Sequence, residues 1–261
     1  MKTCKESKRI VFKVGTSTLT HENGKLNLRR IERLVTTLSD LKNMGREIVL
    51  VSSGAISAGC GRMGVEKRPD TTPGKQAMAA IGQSELMRVY EHFFSMYGHA
   101  VGQILLTKDE TDNPKIWDNA KNTFNTLLGM DCIPIVNEND SMSYEEIEFG
   151  DNDTLSAVVA KICEADCLVI LSDIDGLYNS DPHSNPNAKL IEQVDDITDE
   201  IMSYAGGAGS ARGTGGLITK LHAAQIAVKA GISMYIVNGD DPQILYSLCE
   251  GVRVGTYFPA K

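Results

Sequence analysis

The sequence predicts an α/β fold, a three-layer αβα sandwich built on an open, mainly parallel sheet. Three observations carry that prediction. Short runs rich in Val and Ile recur along the chain, and stretches with apolar residues at helical spacing separate them. Each run then empties into a segment of Gly, Ser, Asn or Asp. A parallel neighbour needs a crossover long enough to hold a helix, so alternation of this kind favours parallel pairing with helices on both faces. Polar segments at the carboxyl ends of such strands are where these sheets bind ligands.

The elements follow in order. Ile10-Val11-Phe12-Lys13-Val14 is apolar and β-branched enough for a buried first strand, with Gly15-Thr16-Ser17 at its end. Lys13 is out of character there, because a lysine in so apolar a run must find a partner or a ligand. Leu28, Ile31, Leu34, Val35, Leu38, Leu41 and Met44 form a helical stripe between an Asn27 cap and a Gly45 stop. Glu47 to Val51 is the second strand, running into Ser52-Ser53-Gly54, a tight turn whose amides and hydroxyls can face a ligand. Thr72 as cap and Pro73 at the first position open a long helix that ends near Tyr97. Ala100 to Leu106 is the third strand, 112–128 a helix, and Cys132 to Val136 the fourth strand.

Asn137-Glu138-Asn139-Asp140 closes that strand. The alternation of Met142, Tyr144, Ile147 and Phe149 predicts a β-hairpin before Gly150-Asp151-Asn152-Asp153-Thr154 opens the next helix. Asp and Asn at such a boundary are first of all caps, but two such clusters around one hairpin point beyond capping. Cys167 to Leu171 is the fifth strand, ending in the acidic, turn-rich segment from Ser172 to Pro182. Between residues 205 and 216 nearly every second residue is Gly or Ala, and Leu217, Leu221, Ala224 and Val228 then recur at helical spacing until Gly231. Met234 to Val237 makes a last strand before a short tail.

The glycine segment and its helix form the stretch with the clearest chemistry. Glycines let backbone N–H groups approach a ligand closely, and a helix N-terminus adds partial positive charge. With Thr214, Thr219 and Lys220 beside those amides, phosphate is the matching anion. The order Thr-Lys excludes a Walker A loop, and the single glycine after the first strand excludes a G-x-G-x-x-G dinucleotide site.

Bulk composition narrows the class. The chain is 42% hydrophobic and 23% charged, ordinary for a globular protein, and no apolar run approaches a membrane span. Six cysteines without a C-x-x-C pair favour reduced, buried thiols and a cytoplasmic setting. A net charge of −8 argues against a nucleic-acid partner. That charge is lopsided: residues 1–130 carry 19 basic against 13 acidic side chains, residues 131–261 carry 7 against 21. The acidic clusters near 138–153 and 173–181 are dense enough to suit a metal–nucleotide.

Six segments, in register along nearly the whole chain, carry a resemblance. They are Lys13-Val14-Gly15, Val51-Ser52-Ser53-Gly54-Ala55, Asn137-Glu138-Asn139-Asp140 and Phe149-Gly150-Asp151-Asn152-Asp153. Ser172-Asp173, with Gly176-Leu177-Tyr178 and Asp181-Pro182, is the fifth, and Gly213 through Lys220 the sixth. With them the chain resembles the amino acid kinase family, and within it the branch that phosphorylates L-glutamate. The resemblance implies transfer of the γ-phosphoryl group of ATP, with Mg²⁺, to the side-chain carboxylate of L-glutamate, on the route to proline. It implies one kinase domain over 1–261 without a PUA domain, binding glutamate in its amino-terminal part and ATP from about residue 165 onward.

By matching positions, Lys13 and Lys220 would neutralise the transferring group and Asp153 would orient them. Ser53, Asp140 and Asn152 would hold glutamate. Lys13, Ser172, Asp173, Thr214, Gly215, Gly216, Leu217, Ile218, Thr219 and Lys220 would hold ATP. The resemblance also implies inhibition by L-proline and assembly as a dimer or tetramer. Ser172 stands where relatives often have Thr, a change that keeps the hydroxyl. Acetylglutamate kinase, aspartokinase and uridylate kinase share the glycine loop and paired cations, and a non-catalytic ligand-binding regulator on the same fold is the reading from another class.

Overall fold

The computed structural model describes residues 2–107, 113–142, 152–180, 182, 185–205 and 216–261. Its sheet has the order β3-β4-β2-β1-β5-β6-β7. These strands are β1 (Arg9–Val14), β2 (Glu47–Val51), β3 (Val101–Leu106), β4 (Ile133–Glu138), β5 (Cys167–Ser172), β6 (Ser233–Asn238) and β7 (Thr256–Phe258). Every pairing is parallel except β6 with β7, which is antiparallel at the edge. β1 therefore lies in the middle, aligned Lys13 to Val51 on one side and Lys13 to Ile170 on the other. The expected mainly parallel sheet is the one observed.

Period-two alternation divides the strand side chains between two cores. Ile10, Phe12 and Val14 of β1, with Ile48 and Leu50 of β2, Val169 of β5 and Val237 of β6, pack on one face. That face is covered by α2 (Leu28–Asn43), α3 (Ala55–Met63), α4 (Thr72–Met96) and α9 (Ile244–Glu250). Val11, Val49, Val51, Leu168, Ile170 and Ile236 pack on the other. There the cover is α5 (Pro114–Gly129), α6 (Asn152–Ile162) and α8 (Leu217–Lys229). Both faces are thus roofed by helices, the three-layer arrangement the alternation predicts. Lys13 follows Val11 by two residues, so it belongs to the α6 and α8 face.

Capping explains the helix limits. Asn27 accepts the Arg30 amide at 3.2 Å, and Gly45, at φ +93°, ends the helix just past Met44. The long helix is capped one residue earlier than the sequence predicts. Thr71, not Thr72, accepts from the Gly74 amide, which moves Pro73 to the second helical position. Asn113 caps α5 ahead of Pro114. β4 runs two residues beyond Val136 and takes Asn137 and Glu138 into the sheet.

Four elements have no counterpart in the sequence reading: α1 (Thr16–Leu19), α3, α7 (Asp199–Tyr204) and α9, while β7 replaces part of the expected tail. All are short, and a helix under three turns leaves little periodicity to read. The hairpin expected over Tyr144, Ile147 and Phe149 lies outside the described residues, as do Asp151, Asp181 and the glycine segment 206–215. All six cysteines are unpaired and buried, as their spacing predicts. Among the described residues no helix is long and apolar enough to cross a membrane.

Candidate active site

Because β1, β2, β4 and β5 run the same way, their carboxyl ends emerge along one edge. Gly15 follows β1, Ser52-Ser53-Gly54 follows β2, Asn139-Asp140 follows β4 and Asp173 follows β5. The chain also changes direction here: it leaves β1 toward β2 on one side and returns to β5 on the other. Such a switch point opens a crevice between loops that diverge.

Asp153 occupies that crevice, in the first turn of α6 and 0% exposed. Its Oδ1 lies 2.6 Å from Nζ of Lys13, and its Oδ2 accepts from Nζ of Lys220 at 3.0 Å. The Thr219 hydroxyl, 2.9 Å from the same Oδ2, is a third donor and also reaches the Gly216 carbonyl at 2.7 Å. Both lysines are buried, at 7% and 6% exposure. The lysine that looked misplaced in β1 and the lysine of the α8 first turn therefore meet on one carboxylate. Burial acts to raise the Asp153 pKa, but the charges of Lys13 and Lys220 outweigh it and hold the group below the usual carboxylate range. Two ammonium groups against one carboxylate leave a net positive charge at the mouth of the site. The α8 N-terminus, capped by Gly216, adds partial positive charge to it. An anion that displaced part of the Lys–Asp attraction would be bound there with little rearrangement.

Next to this cluster, Asn152 lies in an amide network. Its Nδ2 is 2.7 Å from the Ser52 carbonyl, 3.0 Å from Ser53 Oγ and 2.8 Å from Asn137 Oδ1. Asn137 Nδ2 in turn donates to Gln83 Oε1 at 2.8 Å, and Ser52 Oγ is 2.9 Å from the buried Tyr90 hydroxyl. Ser53 and Asn152, expected to share one ligand, are thus in direct contact. Asp140 lines a recess beside them, with Ala55 of α3, Ala79 and Gln83 of α4, and Glu138 and Ser141. Burial pushes the Asp140 carboxyl up, and the charge of Arg68 offsets part of that rise. A half-buried carboxylate of this kind gains from a cationic ligand.

On the β5 side, Ser172 Oγ contacts Asp173 Oδ1 at 3.2 Å, and the Gly239 amide donates to the Ser172 carbonyl. Asp173 is exposed, and Asp175 nearby accepts from Asn238 and from the Tyr178 hydroxyl. Gly216, Leu217 and Ile218 stand at the α8 start, Ile218 exposed. Thr214 and Gly215 lie outside the described residues. Two of the network's groups, Gln83 and Tyr90, escaped the sequence reading. They sit in the middle of a long helix, where nothing local separates a polar residue that faces a site from one that faces solvent.

The model of the amino acid kinase family matches residues 8–238. Glutamate 5-kinase of Clostridium perfringens is 54% identical, over 100% of this chain and 98% of its own. Glutamate 5-kinase of Listeria innocua is 51% identical, over 98% and 95%. Among solved structures, UMP kinase from Bacillus anthracis superposes with a TM-score of 0.66 at 16% identity, covering 97% of this chain and 96% of that one. At that identity the likeness is one of fold.

Proposed function

The chain belongs to the amino acid kinase family, and from that premise we infer that it transfers the γ-phosphoryl group of ATP to the side-chain carboxylate of L-glutamate. The product is L-glutamyl 5-phosphate, the first intermediate toward proline. The observation that carries the reading is the buried Lys13–Asp153–Lys220 cluster at the strand switch point. The names and full-length identity of the relatives supply the acceptor.

The chemistry follows from charge. Phosphoryl transfer asks for two aligned reactants and a means of offsetting negative charge, with little covalent help. Here a carboxylate must approach a triphosphate, so anion meets anion. Lys13 and Lys220 are the groups that offset this charge, and Asp153 keeps both ammonium groups aimed at the crevice. The glutamate carboxylate is already ionised near neutral pH, so no general base is needed. Asp140 is the partner for the substrate ammonium, with Ser53 and Asn152 completing that side. Ser172, Asp173 and the start of α8 form the ATP side.

Among the described residues no group of three His, Cys, Asp or Glu side chains could cage a metal. In this reading a divalent ion would arrive as Mg²⁺ with ATP, an ion that needs few protein ligands. It would add charge neutralisation to that of the lysines. Inhibition by L-proline, assembly as a homo-oligomer and a cytoplasmic setting belong to the same reading.

The test is ADP release with Mg-ATP against L-glutamate, N-acetylglutamate, aspartate and UMP, with hydroxylamine present to trap an acyl phosphate. The expected result is turnover with L-glutamate, a hydroxamate product and a lower rate when L-proline is added. Turnover with UMP or N-acetylglutamate in its place would overturn the acceptor while keeping the phosphate chemistry.

A further inference from the structure

We propose that Gln83 of α4 is a positioning residue for substrate recognition, acting through Asn137 on Asn152. The inference rests on the glutamate reading above and sharpens it. The three contacts of Asn152 described above all involve Nδ2, its donor end. None uses Oδ1, which leaves the acceptor end of the amide for a ligand that brings hydrogens. On this substrate that group is the α-ammonium, the same group Asp140 attracts.

The Ser52 carbonyl and Asn137 together hold that presentation. Asn137 Oδ1 accepts from Asn152 Nδ2 at 2.8 Å and from the Glu138 amide at 3.0 Å. Its own Nδ2 donates to Gln83 Oε1 at 2.8 Å. Turning the Asn137 amide over would set its NH₂ against two donors and its oxygen against the Gln83 oxygen. The Glu138 N–H fixes which end of Asn137 is the oxygen, and Gln83 is the acceptor that closes the far end of the chain. Gln83 also lines the recess that holds Asp140, so helix α4 reaches the substrate side here. Without an acceptor at position 83, Asn137 Nδ2 loses its partner in a part-buried place, and the Asn137 side of the chain is held on its oxygen alone. Asn152, still turned by the Ser52 carbonyl but less firmly braced through Asn137, would then hold the ammonium less tightly.

The experiment is steady-state kinetics and thermal denaturation of the full chain and of two variants. Gln83→Met keeps length and removes the acceptor; Gln83→Glu keeps an oxygen that accepts from Asn137. Gln83→Met should raise the glutamate KM by roughly tenfold. The ATP KM should stay within about twofold, because the change touches only substrate-side binding. Gln83→Glu should bring the glutamate KM back toward that of the unaltered chain. An unchanged glutamate KM in Gln83→Met, or a fall in Tm with both KM values rising together, would overturn the proposal. If the unaltered chain fails to turn over glutamate, the glutamate reading falls and this inference with it. Turnover by the unaltered chain with no KM difference would sink the inference alone.

Discussion

At Asp153 three donors converge on a carboxylate that is closed to solvent. Removing its charge leaves two buried ammonium groups facing a neutral amide. Asp153→Asn should therefore cost about 3–5 kcal/mol of stability, read by urea denaturation, besides lowering turnover. The sign of the pH effect follows from the lowered pKa. With the folded value below the ordinary 3.8, the group stabilises the fold fully above that value and loses its contribution only as pH falls through the depressed one. On the proposed reading Lys13→Ala and Lys220→Ala act instead on the reaction, and each should lower kcat by roughly 10²–10³ with a smaller effect on the glutamate KM. Asp140 works in the opposite direction. Its carboxyl is held high by burial, so it takes up a proton at a higher pH than an exposed aspartate. The glutamate KM should rise as pH is lowered toward the acidic range, beginning at a higher pH than for an exposed aspartate, and Asp140→Asn should flatten that profile at a weaker overall binding.

Elements bring these residues to the crevice by packing, and the tightest contact is between α3 and α4. A Cβ at Gly82 would stand 1.7 Å from the Ala55 carbonyl oxygen, and one at Gly59 would stand 2.0 Å from that of Met78. These two glycines let the helix backbones touch, which holds the α3 start, and Ser53-Gly54 before it, against the helix that carries Gln83 and Tyr90. Gly54 itself sits at φ +88°, a conformation that suits glycine. Gly82→Ala forces the helices apart against backbone, which cannot yield as a side chain does. We expect a loss of at least about 1–3 kcal/mol and a raised glutamate KM, with the ATP KM less affected. Circular dichroism melts and the two KM values check this together. None of it shows in the sequence, where Gly59 and Gly82 are two among 24 glycines.

For the whole molecule, the central position of β1 is what joins the two sides. Its residues alternate between two cores, and Lys13 emerges on the face where α6 and α8 lie side by side. Surface ties contribute much less. Arg30 and Arg33 of α2 reach Asp240 and Asp241 after β6, each at 3.0 Å, but all four side chains are a third or more exposed. Water and salt screen such pairs. Replacing both arginines with alanine should cost under about 1 kcal/mol per pair, and that difference should shrink further in high salt, as denaturant midpoints at two ionic strengths would report.

By itself the sequence determined what depends on neighbours a few residues apart. Strand runs, the helical stripe from Leu28 to Met44, the Asn27 cap and the Gly45 stop are set by local sterics, hydrogen bonds and periodicity. It also marked Lys13 as a residue in need of a partner, because burying a lone ammonium is costly whatever the fold. The resemblance already paired both lysines with Asp153, and the tertiary structure supplied the contacts, Lys13 on one carboxylate oxygen and Lys220 on the other. Only the tertiary structure decided that Thr219 holds the same carboxylate and that Gln83 ends the amide chain on Asn152. These contacts join residues far apart in the chain through side-chain distances of a few ångströms. Sheet order, register and helix packing fix such distances, and no local pattern encodes them.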